Sequence, residues 1–177
     1  MTSKVLNGPP GLSIRDEIAD DIPAIGQTIT TAMRLLPEGS GAEAEIVDLL
    51  RADKALMLSL VAALNGQVIG HLAASAAQVG GQGGWGLIGP LAVAPDWHRQ
   101  GVGSALMAEA LHRLHASCRG AVLVGHPAYY SRFGFAAFPG LSVAGCPPDV
   151  VLALPFDGVR PAGEVTYHPA FALDQPG

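Results

Sequence analysis

Hydrophobic and polar positions divide the chain into a regular alternation of short elements. Leu12-Ser13-Ile14-Arg15 alternates with the two-residue period of a half-buried strand, and a helix follows in which Ile22, Ile25, Ile29 and Met33 recur on one face. Asp20 is its expected N-cap, with Asp21 and Pro23 in the first turn. Ser40-Gly41-Ala42-Glu43 fits a capping box and predicts a second helix carrying Ile46, Leu49 and Leu50. Leu56–Leu64 and Gln67–Ala76 are apolar runs joined by Asn65-Gly66, the dipeptide of a tight hairpin. Gly80–Gly84 reads as a flexible loop before a strand at Trp85–Val93, and a helix then runs from Gly101 to about Ser117. Ala121–Val124 is short and wholly apolar, as befits a parallel strand after a crossover helix. A short helix from Pro127 to Gly134, strands at Leu141–Ala144 and Val150–Leu154, and an edge strand at Glu164–His168 complete the pattern.

Composition narrows this further. Of 177 residues, 49% are hydrophobic and 14% charged, against about 25% charged in an ordinary domain. No Asp, Glu, Lys or Arg occurs between Lys54 and Asp96, which raises the question of a membrane span. Asn65-Gly66, Gly80-Gly81, Gly83-Gly84 and Gly89-Pro90 interrupt that window before it reaches the roughly 18 apolar residues that a span requires. It therefore reads as the core of a sheet. Met1–Leu12 has no apolar stretch after its lysine, so a cytoplasmic protein without a secretory leader is expected. Cys118 and Cys146 lack metal or redox spacing and read as idle thiols. A net charge of −5 argues against a nucleic-acid surface. The length predicts one domain, residues 1–177, with its core at about 12–171.

Two stretches carry chemistry. In Leu87–Leu106, a strand ending in Leu91-Ala92-Val93 leads through Pro95 and Asp96 to Gly101 and Gly103 at the start of a helix. Such a start offers unpaired main-chain N–H groups at the positive end of a dipole, a place for phosphate. Leu106 replaces the third glycine of a dinucleotide fingerprint, and no Gly-Lys-Ser/Thr is present for a P-loop. Gly89-Pro90 inside the strand predicts a bulge that leaves the Leu91 and Val93 N–H groups free for the amides of a ligand arm.

The window His98-Arg99-Gln100-Gly101-Val102-Gly103 resembles the acyl-CoA pyrophosphate loop of the GNAT superfamily of N-acetyltransferases, with His where the pattern has Arg or Gln. Tyr130-Ser131-Arg132-Phe133-Gly134-Phe135 resembles the Y-x-x-x-G-F ending of the same domains, and its lead-in Gly125-His126-Pro127-Ala128-Tyr129 is similar to a small bacterial branch of them. The resemblance implies an α/β (α+β) fold with a mostly antiparallel sheet, splayed at its centre and flanked by helices. It implies acetyl-CoA as cosubstrate, held by Leu91, Ala92 and Val93 along the arm and by His98, Arg99, Gln100, Gly101, Val102, Gly103 and Ser104 at the phosphates, with no metal. It also implies that Tyr130 protonates the departing thiolate. Free phenol and thiol pKa values of about 10 and 8.5 make full transfer uphill by roughly 2 kcal/mol, so the hydroxyl is expected to act as a hydrogen-bond donor.

An amine acceptor must lose a proton, and His126, at the end of the central strand, has the intrinsic pKa to take it; His71 is a weaker candidate. The Leu91 N–H is the expected donor to the thioester oxygen. The acceptor pocket is expected between the first helices, the Leu56–Ala76 hairpin and the C-terminal strands, where scarce charge suggests a small or partly apolar amine. Unassigned apolar surface suggests a homodimer. An acyl-CoA sensor that consumes nothing, and a nucleotide-binding fold unrelated to CoA, are the alternatives.

Overall fold

The computed structural model describes residues 8–174. The Met1–Leu12 expectation falls largely outside them. Its strands are β1 (Ser13–Asp16), β2 (Leu56–Leu64), β3 (Gln67–Val79), β4 (Gln82–Val93), β5 (Gly120–Val124), β6 (Leu141–Ser142), β7 (Val151–Pro155) and β8 (Gly163–Tyr167). The helices are α1 (Ile22–Met33), α2 (Glu43–Ala52), α3 (Val102–His115) and α4 (Pro127–Tyr130). The main sheet runs β1-β2-β3-β4-β5-β7, antiparallel throughout except for the β4–β5 pair.

Alternation along β2 sorts the two helical layers. Leu60, Ala62 and Leu64 face α3, packing with Val102, Leu106, Met107, Ala110 and Leu114. Val61 and Ala63 face the opposite way, onto Ile25, Ile29 and Met33 of α1 and Val47 of α2. The sheet is thus buried on both sides by apolar stripes at helical spacing, which explains the uncharged run from β2 to β4.

Several local expectations shift. A 3₁₀ turn occupies Ala19–Asp21, and Asp21 rather than Asp20 caps α1. The Asp21 carboxylate accepts from the Ile18 N–H (2.8 Å) and from the Arg15 guanidinium (2.7 and 3.0 Å), a partner set that a local motif does not contain. The capping box forms with its parts rearranged: α2 starts at Glu43, whose carboxylate accepts from the Ser40 and Gly41 N–H groups, while the Ser40 hydroxyl accepts from the Ala42 N–H. Gly80–Gly84 is not a loop. Val79 pairs with Gln82, so Gly80-Gly81, both at positive φ, form a two-residue turn like Asn65-Gly66 at the other hairpin. The extra length lets β8 pair with β3 at Ala77–Val79, beyond the point where β2 leaves it at Ser75. β6 keeps only Leu141–Ser142 and pairs parallel to β8.

The expected bulge is present. Leu72 pairs with Leu91 and Ala74 with Ile88, so Gly89 and Pro90 together oppose Ala73. The splay is equally plain, because β4 meets β5 only at Trp85, Gly86 and Leu87, while β5 continues through Leu123 and Val124 alongside β7 alone. Trp85 is buried at the joined end against Gly120. No helix among the described residues is long and apolar enough to cross a membrane.

Candidate functional site

Beyond the bulge, hydrogen-bond alternation decides which main-chain groups of β4 are free. The Ala94 N–H donates to the Ile69 carbonyl at 2.8 Å, so Ala92 faces β3 as well, and the N–H groups of Leu91 and Val93 point the other way, into the gap that β5 has left. The Val93 carbonyl confirms the sense: it lies 2.8 Å from His98 Nε2, on the side away from β3. Of the three predicted arm-binding residues, the structure brings Leu91 and Val93 to the gap. Ala92 lies between them with its polar groups directed to β3 and its methyl buried against α1.

Next along the chain, Arg99 (φ 61) and Gly101 (φ 84) turn the backbone into α3, whose first intrahelical bond runs from the Ala105 N–H to the Gly101 carbonyl. The N–H groups of Val102, Gly103 and Ser104 therefore open towards the same end of the gap. Gly101 is the N-cap and needs its left-handed conformation there, at a cost of about 1–2 kcal/mol for any other residue. Gly103 answers to a different neighbour. A Cβ there would sit 2.7 Å from the Tyr129 hydroxyl and 3.7 Å from Val93 Cγ2. The side chains of His98 and Gln100 fold back on the Val93 and Asp96 carbonyls, which leaves Arg99 as the exposed cation of the loop.

The second motif closes the other side. Gly125 carries the Tyr130 ring, since a Cβ on it would lie 2.4 Å from Cε2, and Phe133 and Phe135 complete an aromatic cluster with Tyr129. Burial, then the neighbouring Tyr129 and Glu38, push the Tyr130 phenol up to about 12. Its proton is held more tightly than in water, which strengthens the reading of a donor that stays protonated. The Tyr129 hydroxyl reaches Gly103 and Ser104, and Arg132 stacks 4.5 Å above its ring. Arg113 and Arg119 are tied elsewhere, to Asp16 and Glu109 and to Gln82 and Asp157.

His126 caps α4 at the exposed end of β5, with Nε2 3.1 Å from Glu38 Oε1. Glu38 belongs to the segment between α1 and α2. It is the residue that sequence reasoning missed, since no local motif announces a contact across 88 positions. An open groove between α1 and α2, lined in part by Gln27, Thr31, Arg34 and Asp48, shares no residue with the β4–β5 gap.

His71 lies in another setting. It is fully buried on the α1 face, and its Nε2 is 2.8 Å from the Ser59 hydroxyl. Ser59 Oγ is also 2.6 Å from Glu17 Oε2, and Glu17 takes two bonds of 2.8 Å from Arg51. Burial raises the Glu17 pKa, but Arg51 and Ser59 outweigh it and hold it below the ordinary value. The ionised carboxylate can only accept, so the single Ser59 proton goes to Glu17 and His71 must donate through Nε2. That fixes the tautomer and leaves Nδ1 as a buried lone pair without a partner among the described residues. Burial, reinforced by Arg51 against Glu17, lowers the His71 pKa to about 4, and the ring is neutral at pH 7.

Residues 57–137 match the family model described as the acetyltransferase (GNAT) domain. The Escherichia coli (strain K12) uncharacterized N-acetyltransferase YhbS is 41% identical over 125 residues, 69% of this chain and 72% of that protein. A GNAT family acetyltransferase from Brucella melitensis, solved in complex with acetyl-CoA, superposes with a TM-score of 0.80 at 41% identity over 90% of this chain and 97% of that one. The structure of YhbS in complex with CoA gives 0.78 at 34% identity, covering 90% and 91%.

Proposed function

The chain belongs to the GNAT family of acetyltransferases, and from that premise we propose that it transfers the acetyl group of acetyl-CoA to the primary amine of a small molecule by direct attack in a ternary complex. The observation that carries the reading is the gap between β4 and β5, where the Leu91 and Val93 N–H groups face away from β3 in line with the open start of α3. The complexes of two relatives with acetyl-CoA and CoA support the same ligand here.

In this reading Val93 bonds an amide of the pantetheine arm and Ala92 sets the spacing, while the pyrophosphate lies against the main chain from His98 to Ser104 beside Arg99. The Leu91 N–H polarises the thioester oxygen, an interaction worth about 3 kcal/mol when well aimed. The amine nitrogen bonds to the carbonyl carbon, the C–S bond breaks, and the sulfur leaves as thiolate with the Tyr130 hydroxyl donating to it. Full transfer from a phenol at about 12 to a thiol near 8.5 is uphill by roughly 5 kcal/mol, so Tyr130 keeps its proton. The proton of the amine goes to His126. Its ring donates from Nε2 to Glu38, which leaves Nδ1 free to accept.

Titration calorimetry with acetyl-CoA, followed by thiol release with a panel of primary amines, tests the proposal. Saturable heat and amine-dependent thiol release are expected. Absence of heat defeats it, and heat without thiol release favours the acyl-CoA sensor.

A further inference from the structure

The gap is charged in opposite senses at its two ends. At the α3 end stand the helix N-terminus and Arg99, with Arg132 stacked on the Tyr129 ring whose hydroxyl touches Gly103. At the Tyr130 end stands Glu38, in contact with His126 and close enough to Tyr130 for its charge to act on the phenol. Arg34, its nearest cation in sequence, lines the separate groove between α1 and α2.

Stability gives little reason for the Glu38–His126 contact, because both side chains are more than half exposed and such pairs contribute little. The flanking chain is unusual in a different way. Leu35 and Leu36, just before Glu38, are 61% and 41% exposed, and Val124, just before Gly125-His126, is 46% exposed. A carboxylate whose neighbours in sequence, like those of its partner His126, include exposed apolar side chains, opposite a cationic phosphate end, complements a cation with an apolar body.

We infer that Glu38 recognises the acceptor: its carboxylate takes the ammonium group of a small primary amine whose apolar body packs on the Leu35, Leu36 and Val124 side chains, the ammonium gives up one proton to solvent before attack and the second to His126, and the carboxylate repels acceptors bearing a carboxylate beside the amine. This rests on the acetyl-transfer reading, which acetyl-CoA calorimetry tests separately.

The probes are 2-phenylethylamine and L-phenylalanine, which share an aromatic body and differ by the α-carboxylate. With acetyl-CoA and the wild-type protein, kcat/KM for 2-phenylethylamine exceeds that for L-phenylalanine by at least about tenfold. Glu38→Gln lowers the 2-phenylethylamine value by about tenfold, mostly through KM, and narrows the preference, while Glu38→Asp retains it. Equal use of the two probes, use of neither by protein that binds acetyl-CoA, or an unchanged preference in Glu38→Gln overturns the inference. The wild-type comparison stands even where a variant fails to fold. Failure to bind acetyl-CoA removes the acetyl-transfer reading and this inference together.

Discussion

Mild acid should destabilise this protein through one histidine. His71 is neutral in the fold down to a pKa of about 4 and returns to its ordinary 6.5 when the chain unfolds. Above pH 6.5 neither state binds the proton and the residue makes no difference. Between 6.5 and 4 only the unfolded chain binds it, so stability falls as pH drops and levels off below 4. The full difference is on the order of 3 kcal/mol, and about 2 kcal/mol of it is lost between pH 7.5 and pH 5. Complete burial of the ring leaves no solvent screening to reduce that figure. Glu17 and Asp21, whose pKa values are lowered, enter only at more acid pH. Urea denaturation of the wild-type protein and of His71→Gln at pH 7.5, 6 and 5 isolates the effect, because every other titrating group is shared. The wild-type stability should drop about 2 kcal/mol more than that of the variant. Parallel pH profiles would refute the argument and mean that His71 is protonated, or solvated, in the folded protein.

Other consequences follow from the site. Tyr130→Phe keeps the aromatic cluster and removes the donor, so kcat for amine acetylation should fall by about 10²-fold while calorimetry shows little change in acetyl-CoA affinity. Gly125→Ala, whose new methyl must displace the Tyr130 ring, should lower kcat without removing the hydroxyl; a crystal structure of that variant with an unmoved ring would contradict the packing argument. Gly101→Ala forces a left-handed residue at the α3 cap and should weaken acetyl-CoA binding about tenfold in the same calorimetric titration, as a strain of 1–2 kcal/mol implies.

Much of the architecture could be read from the residues because the signals are local. Asn65-Gly66 states its own turn, Gly89-Pro90 states a bulge, and the glycine-led start of α3 follows a strand of the right length. The Gly80-Gly81 turn was legible in principle. Gly83 and Gly84 obscured it, although both lie within β4, where the Arg119 side chain covers Gly84. The site was half legible. Tyr130 and the loop at 98–104 belong to contiguous motifs, whereas Glu38 reaches His126 only through the tertiary fold. His71 offered one clue in sequence: it is the sole ionisable side chain in the uncharged run from Lys54 to Asp96. A histidine in that setting must find partners, and Ser59 and Glu17, brought from two other parts of the chain, supply them.

The three rungs that join β4 to β5 bear on speed as well as on shape. A wedge opened by backbone geometry needs no lid to swing before a ligand enters, so its arm meets donors already aligned and little ordering entropy is lost on arrival. Association should then rise linearly with ligand concentration in stopped-flow mixing, without the plateau that a gating step imposes.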